Sequence, residues 1–112
     1  MTISGDFPHI TNRRITSNGI ELNIAEQGDA DAPLIVMLHG FPESWFSWRH
    51  QFAPLAAAGY HVVAPDMRGY GESDKPSDIS AYNQVEVVND VKGLVAALGY
   101  DTAIVIGHDW GG

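Results

Sequence analysis

One apolar stretch of the sequence leads into an aspartate that has a glycine two residues away on each side. The pattern Gly107-x-Asp109-x-Gly111 follows a run of β-branched residues. This order is typical of a nucleophile elbow, a sharp strand-to-helix turn that projects its central side chain. A helix that begins after Asp109 favours an ionised carboxylate at its N-terminus, and a carboxylate must be ionised to attack. The motif therefore predicts a nucleophilic carboxylate at Asp109.

A second motif is needed, because aspartate also caps helix N-termini and short glycine motifs recur by chance. The run His39-Gly40-Phe41-Pro42 follows an earlier apolar stretch. An elbow works with an oxyanion hole, which takes one N–H from the residue after the nucleophile and one from a loop after an earlier strand. Trp110 and Phe41 match these two positions. An ordinary loop with a packed histidine would explain the second motif alone, but the two motifs in this order favour an active site.

The elements around both motifs alternate between strands and helices. Asn18-Gly19 between two short strands is typical of a tight hairpin turn. The run Leu34 to Leu38 has the continuous apolar character of a strand buried on both faces. We expect an α/β protein, residues 1–112 forming one unit with a mostly parallel sheet, an N-terminal hairpin, flanking helices and the elbow after the last strand. The predicted strands cover residues 13–17, 21–27, 34–38, 61–64 and 102–106, and we expect the last two of them to be buried as well. The predicted helices cover residues 46–58 and 84–98.

Composition narrows the classes of partner and cofactor. The formal net charge is −8, which disfavours nucleic acid and anionic membranes, because both attract basic surfaces. There is no cysteine, and the five histidines are scattered without the spacing of a metal site. We therefore expect neither a metal ion nor another cofactor. The first residues show no signal-peptide pattern and no apolar run is long enough to span a bilayer, so we expect a cytoplasmic protein.

Three segments of the sequence, in this order, match one known family. They are His39–Trp45 with Ser47–Arg49, Asp66–Ser73, and Gly107–Gly112. Together they resemble the N-terminal part of an α/β-hydrolase, and most closely an epoxide hydrolase of the soluble type. An aspartate followed by tryptophan at the elbow narrows the resemblance to the epoxide hydrolase and haloalkane dehalogenase branch. Within the second segment we expect a structural pair between Asp66 and Arg68 rather than a catalytic role.

The resemblance implies that an epoxide is hydrolysed to a vicinal diol in two steps. Asp109 would open the epoxide and form a hydroxyalkyl ester, which a histidine-activated water would then hydrolyse. The backbone N–H groups of Phe41 and Trp110 would hold the oxyanion of the second step. A small apolar epoxide and water are the implied substrates. The residues implied to shape the site are His39, Gly40, Pro42, Gly107, His108 and Gly111.

Two alternatives stay open. A haloalkane dehalogenase of the same fold usually carries a halide-binding side chain, often asparagine, at the position of Phe41, so this residue favours an epoxide hydrolase. In the family, the histidine base, its acid partner and the cap tyrosines follow later than Gly112. We therefore expect the 112-residue chain to be inactive alone and to need the C-terminal remainder of the fold or another chain. The second alternative is a non-catalytic truncated fragment or assembly module.

Overall fold

The computed structural model describes residues 9–40, 43–77 and 84–108. These residues form the strands β1 (Thr11–Ser17), β2 (Ile20–Gln27), β3 (Leu34–Leu38), β4 (His61–Pro65) and β5 (Ile104–Gly107), and the helices α1 (Phe52–Ala57) and α2 (Gln84–Ala97). The strands make one sheet in the order β1-β2-β4-β3-β5. Strand β3 is parallel to both β4 and β5, whereas β2 is antiparallel to β1 and β4. The predicted α/β class with an N-terminal hairpin is confirmed.

The N-terminal hairpin closes through the predicted turn, but its strands are longer than predicted. Asn18 and Gly19 have φ values of 52° and 79°, and a type I′ turn requires positive φ at both central residues. The antiparallel ladder extends to Thr11 opposite Glu26. Both strands begin earlier than predicted: β1 gains the polar residues Thr11 and Asn12, which carry no hydrophobic signal, and β2 gains Ile20, which pairs with Ser17 next to the turn.

Strand β3 is the central strand of the parallel part, and all of its residues are buried. Ile35 and Met37 enter a core cluster that Phe52 of α1 completes. Val36 points to the opposite face and enters a second cluster with Leu94 of α2. Burial on both faces confirms the interpretation of this continuous apolar run. Each such side chain contributes about 1.5–3 kcal/mol through its removal from water.

The continuous helix predicted over residues 46–58 is wrong. The chain forms a 3-10 turn at Trp45–Trp48 and then the short helix α1. Pro54 explains the break, because proline lacks an N–H and its ring collides with the carbonyl four residues earlier in a helix. Within α1 it lies in the first turn, where that N–H has no intrahelical partner in any case. Trp45 is only 4% exposed and belongs to the core.

Helix α2 packs on the sheet through an apolar stripe. Leu94 is fully buried, and Val91 and Val95 pack against the same cluster. Val85 and Val88 lie on the outer side of the helix and are 68% and 55% exposed. Across the ranges that the structure describes, no helix has the length and apolar content needed to cross a membrane.

Strand β5 is largely exposed, although its apolar sequence predicted a buried strand. Ile104 and Val105 are 49% and 52% exposed. The strand is the last in the sheet order and pairs with β3, so in the described part of the chain its other edge has no neighbouring strand. The prediction is wrong because burial depends on neighbouring elements, which the sequence of a strand does not specify.

A buried ion pair joins the loop after β4 to α2. The Nε and Nη2 atoms of Arg68 each donate to one carboxylate oxygen of Asp90 at 2.7 Å, and the two side chains are 3% and 5% exposed. The predicted pair between Arg68 and Asp66 is wrong. Asp66 instead accepts the backbone N–H groups of Trp45 and Glu72. An arginine and a distant helix residue meet here only because the fold packs α2 against this loop.

A second polar network lies at the other end of β4, where this strand begins. His61 places Nε2 2.9 Å from Glu26 Oε1 and Nδ1 3.0 Å from the Tyr100 hydroxyl, and Arg13 also donates to Glu26. Burial raises the pKa of Glu26, but the hydrogen bonds from His61 and Arg13 outweigh burial and hold this pKa below its ordinary value. The folded state therefore favours the ionised carboxylate.

Replacing Asp90 with alanine should lower the free energy of unfolding by about 3–5 kcal/mol, because it removes the buried carboxylate to which Nε and Nη2 of Arg68 donate. Asp90→Asn keeps the side-chain shape and should cause a smaller loss. Glu21→Ala is the matched control, since it removes an exposed ion pair with Arg14, and it should have little effect. Urea denaturation measures all three variants, and equal losses for Asp90→Ala and Glu21→Ala would contradict the prediction.

The Glu26 network predicts a loss of stability in acid. Because folding lowers the pKa of Glu26, the stabilisation is complete above its ordinary value of 4.5 and is lost as the pH falls through the lower folded-state pKa. The variant Glu26→Gln should therefore lose less stability than the parent when urea midpoints are followed from about pH 6 to about pH 3. Glu21→Gln, on the same strand but exposed, is the control. A parent-like slope for Glu26→Gln would argue against the network.

Candidate active site

The candidate site lies where strands β3 and β5 end side by side. The strands run in parallel, with Leu38 opposite Gly107 in the register. The His108 N–H donates to the Leu38 carbonyl at 3.3 Å, so backbone pairing extends to the residue before Asp109. Since parallel strands present their carboxyl ends at the same sheet edge, this pairing brings together the beginnings of the two sequence motifs.

Some predicted site residues lie in the described part of the chain and others lie outside it. The described residues are His39, Gly40, Gly107 and His108. The residues outside the described ranges are Phe41, Pro42, Asp109, Trp110 and Gly111. The roles given to both groups stay predictions.

His39 is a buried histidine whose two ring nitrogens both have backbone partners. Its Nε2 atom lies 3.0 Å from the Met67 nitrogen, and its Nδ1 atom lies 2.9 Å from the Gly40 carbonyl oxygen. A backbone N–H can only donate, so Nε2 accepts and the ring proton is on Nδ1, which donates to Gly40. The ring also packs edge-on against Tyr70 at a centroid distance of 5.0 Å. In this arrangement the neutral imidazole ties the end of β3 to the loop after β4.

Gly40 is held by Glu43 through both of its backbone polar groups. The Glu43 N–H donates to the Gly40 carbonyl at 2.8 Å, a hydrogen bond between residues three apart in the sequence. The Gly40 N–H donates to Glu43 Oε1 at 3.0 Å. Sequence reasoning gave Glu43 no role, although a glycine followed by x-Pro-Glu has the composition of a turn.

His108 lies next to the same glutamate. Its Nδ1 atom is 3.8 Å from Glu43 Oε1, within ion-pair distance when the ring is protonated. The side chains of His108 and Glu43 are 69% and 38% exposed, so water screens this contact. Glu43 therefore contacts Gly40 of the His39-Gly40-Phe41-Pro42 motif and His108 of the elbow motif.

Asp66 orders the loop that packs behind His39. Its carboxylate accepts the N–H groups of Trp45 at 2.8 Å and Glu72 at 2.9 Å. Gly71 passes so close that an added Cβ would lie 2.2 Å from Asp66 Oδ2, and its φ is +52°. Both the space and the backbone conformation therefore require glycine at this position. Asp66 acts here as a structural acceptor.

The described residues supply positioned backbone groups and a neutral imidazole. Within residues 9–40, 43–77 and 84–108, no group of three or more histidine or acidic side chains could hold a metal ion. Such a frame can orient a nucleophile and an oxyanion hole at the ends of two neighbouring strands. The histidine that it contains has both nitrogens occupied, so it orients the loop rather than moving a proton.

Comparisons with known proteins agree with this geometry. A family profile described as alpha/beta hydrolase fold matches residues 33–112. The chain is 48% identical over 101 residues to epoxide hydrolase A of Mycobacterium tuberculosis, and the match covers 90% of this chain and 31% of that protein. It is 52% identical over 98 residues to the AB hydrolase superfamily protein YfhM of Bacillus subtilis, with 88% and 34% covered.

A solved structure shows the same architecture. The crystal structure of an epoxide hydrolase from Vigna radiata matches with a TM-score of 0.89 at 43% identity, covering 93% of this chain and 32% of that chain. This chain thus spans about a third of the length of the relatives it matches. The profile match over residues 33–112 extends over most of the sequence. On this evidence the chain belongs to the α/β-hydrolase fold family.

Proposed function

We propose that this chain is the nucleophile-bearing part of an epoxide hydrolase, which converts an epoxide and water to a vicinal diol through an ester on Asp109. The observation that carries the proposal is the parallel pairing of β3 with β5, which brings the strand ends leading into both motifs to one sheet edge. Relatives named epoxide hydrolases, at 44–48% identity, support the substrate class. A small apolar epoxide and a cytoplasmic location stay predictions from the sequence.

In the first step the Asp109 carboxylate attacks one carbon of the epoxide. A new C–O bond forms to Asp109 while the ring C–O bond to that carbon breaks. The ring oxygen takes the electron pair and receives a proton from an acid outside this chain. The product is a hydroxyalkyl ester of the enzyme. No tetrahedral oxyanion forms in this step.

In the second step a water molecule attacks the carbonyl carbon of the ester. A histidine outside this chain takes the proton of the water, and the carbonyl oxygen becomes a tetrahedral oxyanion. The N–H groups of Phe41 and Trp110 stabilise that oxyanion. The intermediate then collapses as its C–O bond to the alkyl group breaks, and the departing alkoxide takes the proton from the histidine to complete the diol. Asp109 gives up its remaining proton, which replaces the one that the acid donated in the first step.

The contacts of Gly40 support a fixed oxyanion hole. Its carbonyl accepts hydrogen bonds from the His39 ring and the Glu43 N–H. Gly40 directly precedes Phe41 in the sequence, so these contacts of Gly40 support the proposal that the oxyanion hole follows a firmly held backbone position.

The proposal assigns the base, its acid partner and the proton donor to protein outside this chain. Among the described residues one edge of β5 has no neighbouring strand, and this edge together with the exposed side chains Ile104 and Val105 offers a surface against which such a remainder would pack. A haloalkane dehalogenase has less support, since Phe41 offers no side-chain donor for a halide.

The decisive test follows the ester in the complete protein that contains this chain. After mixing with an epoxide, rapid quenching and mass spectrometry should show one adduct on the peptide that contains Asp109. Asp109→Asn and Asp109→Ala should give no adduct and no diol, because the nucleophile is gone. Asp101→Asn, an exposed aspartate on the same segment, is the matched control and should keep both.

A single turnover in heavy-oxygen water tests the second step. Attack on the ester carbonyl places the label in Asp109 and leaves the first diol unlabelled. Label in the first diol, or an adduct that survives in Asp109→Ala, would refute the proposed mechanism.

The chain of 112 residues should produce no diol when it is purified alone, because it lacks the base that hydrolyses the ester. The complete protein assayed in parallel is the positive control. Sustained diol production by the chain alone would contradict this prediction.

A further inference from the structure

We propose that Asn18 is a site of spontaneous deamidation, and that the packing of α2 against the hairpin turn restrains this modification. The inference is independent of the proposed catalytic reaction. In the first step the backbone nitrogen of Gly19 attacks the side-chain carbon Cγ of Asn18 and closes a succinimide ring. The bond from Cγ to Nδ2 breaks, and Nδ2 leaves as ammonia with the proton of the Gly19 N–H. Water then opens the ring to aspartate or isoaspartate.

The hairpin turn presents the nucleophile of this reaction in an open place. Asn18 and Gly19 are the two central residues of the turn, and both are exposed. A Cβ added to Gly19 would meet no atom of a non-adjacent residue within 4 Å. Glycine has no side chain of its own to hinder the attack. Water and base therefore have access to the Gly19 backbone from that side.

The following residue distinguishes Asn18 from the other asparagines of the chain. Asn18 precedes glycine, whereas each of the others precedes a residue whose side chain hinders attack of its backbone nitrogen. These others are Asn12, Asn23, Asn83 and Asn89. Asn12 and Asn89 therefore serve as internal controls for the modification.

The leaving group of the reaction is held by α2. The Nδ2 atom of Asn18 lies 3.1 Å from Asp90 Oδ1, 3.3 Å from the Glu86 carbonyl oxygen and 3.4 Å from Glu86 Oε1. Hydrogen bonds to carboxylates are stronger than those between neutral groups. Attack requires Cγ to move against the Gly19 nitrogen and Nδ2 to leave these acceptors. The contacts with α2 therefore oppose the reaction while the turn stays docked.

The residue before Asn18 anchors the turn to the same helix. The buried Ser17 hydroxyl donates to the Asp90 carbonyl at 2.6 Å. Gly93 passes so close that an added Cβ would lie 2.3 Å from Ser17 Oγ. Glu86 belongs to the first turn of α2, and helix ends open more readily than helix centres. The rate of modification should therefore follow the separation of this turn from α2.

Deamidation would change the contact with α2 from attractive to repulsive. Asp90 Oδ1 also accepts Nη2 of Arg68 at 2.7 Å, so Asn18 and Arg68 donate to the same oxygen. The product has a carboxylate at residue 18, which accepts hydrogen bonds but cannot donate them. That carboxylate would face the acidic groups of Asp90 and Glu86. The modification therefore detaches the turn and disturbs the buried ion pair.

Peptide mapping by mass spectrometry of the complete protein, incubated in mildly alkaline buffer, tests the site. In urea, Asn18 should deamidate faster than Asn12 and Asn89. In the folded parent, Asn18 should react at least about tenfold more slowly than in urea. A rate in urea no higher than that of Asn12 would overturn the site. Equal rates for Asn18 in the folded and unfolded protein would overturn the restraint.

Two variants that break the same buried ion pair separate a local restraint from general stability. Asp90→Ala removes an acceptor of Asn18 and should speed its deamidation by about tenfold. Arg68→Ala leaves that acceptor in place and should speed it by less than about threefold. Equal acceleration in both variants would overturn the assignment of the restraint to the contact between Asn18 and Asp90.

A further pair of variants decides the question if Asp90→Ala does not fold. Glu86→Ala removes the weaker carboxylate acceptor of Asn18 and should speed deamidation by about threefold. Glu21→Ala, which alters an exposed glutamate of the same hairpin, is the matched control and should leave the rate unchanged. Equal rates in the two variants would then refute the restraint.

The consequence of the modification is tested with a variant that carries the product side chain. Asn18→Asp should have a lower urea midpoint than Asn18→Gly, because both lose the donor but only Asn18→Asp adds a charge beside Asp90. Glycine accepts the positive φ of this position, so it isolates the charge from backbone strain. Equal midpoints would contradict the repulsion.

Discussion

Strand β3 pairs in parallel with β4 on one side and β5 on the other, so its backbone groups are satisfied in two directions while both of its faces are buried. Its alternate side chains enter two separate core clusters. A register shift of one residue would exchange these faces, and the core therefore specifies the register strongly. Because the three strands are parallel, their carboxyl ends carry His39, Asp66 and His108 to one edge.

At that edge, polar contacts rather than apolar packing hold the loops in place. His39 uses both ring nitrogens, and Asp66 accepts backbone N–H groups from two neighbouring segments. A buried polar group without a partner destabilises a protein by about 1–3 kcal/mol. The loops after β3 and β4 therefore have one arrangement that satisfies these groups. This requirement fixes the positions of the candidate site residues in these loops. The hydrogen bond from the Gly40 N–H to Glu43 Oε1 extends the same polar network toward the elbow.

Several features could be predicted from the sequence because their causes are local. Asn18-Gly19 permits positive φ at two consecutive residues, which few other pairs do. The apolar run Leu34–Leu38 is too short and too continuous for an amphipathic helix, so a doubly buried strand was the consistent interpretation. The glycines and the acid of the elbow motif, Gly107-x-Asp109-x-Gly111, are informative for the same reason. The helix predicted over residues 46–58 is wrong because Pro54 interrupts the helical pattern of apolar residues, and this restriction is equally local.

The sequence by itself determined the α/β class, the hairpin, the central strand and the two motifs, since each depends on residues that are close together along the chain. Only the tertiary structure decided the partner of Arg68, the exposure of β5 and the contacts of Glu43 with Gly40 and His108. Asp90 lies 22 residues from Arg68, and β5 is exposed because of its place in the sheet order. Such pairings arise when packing closes long loops, and no pattern within either partner's own segment specifies which distant group it will meet.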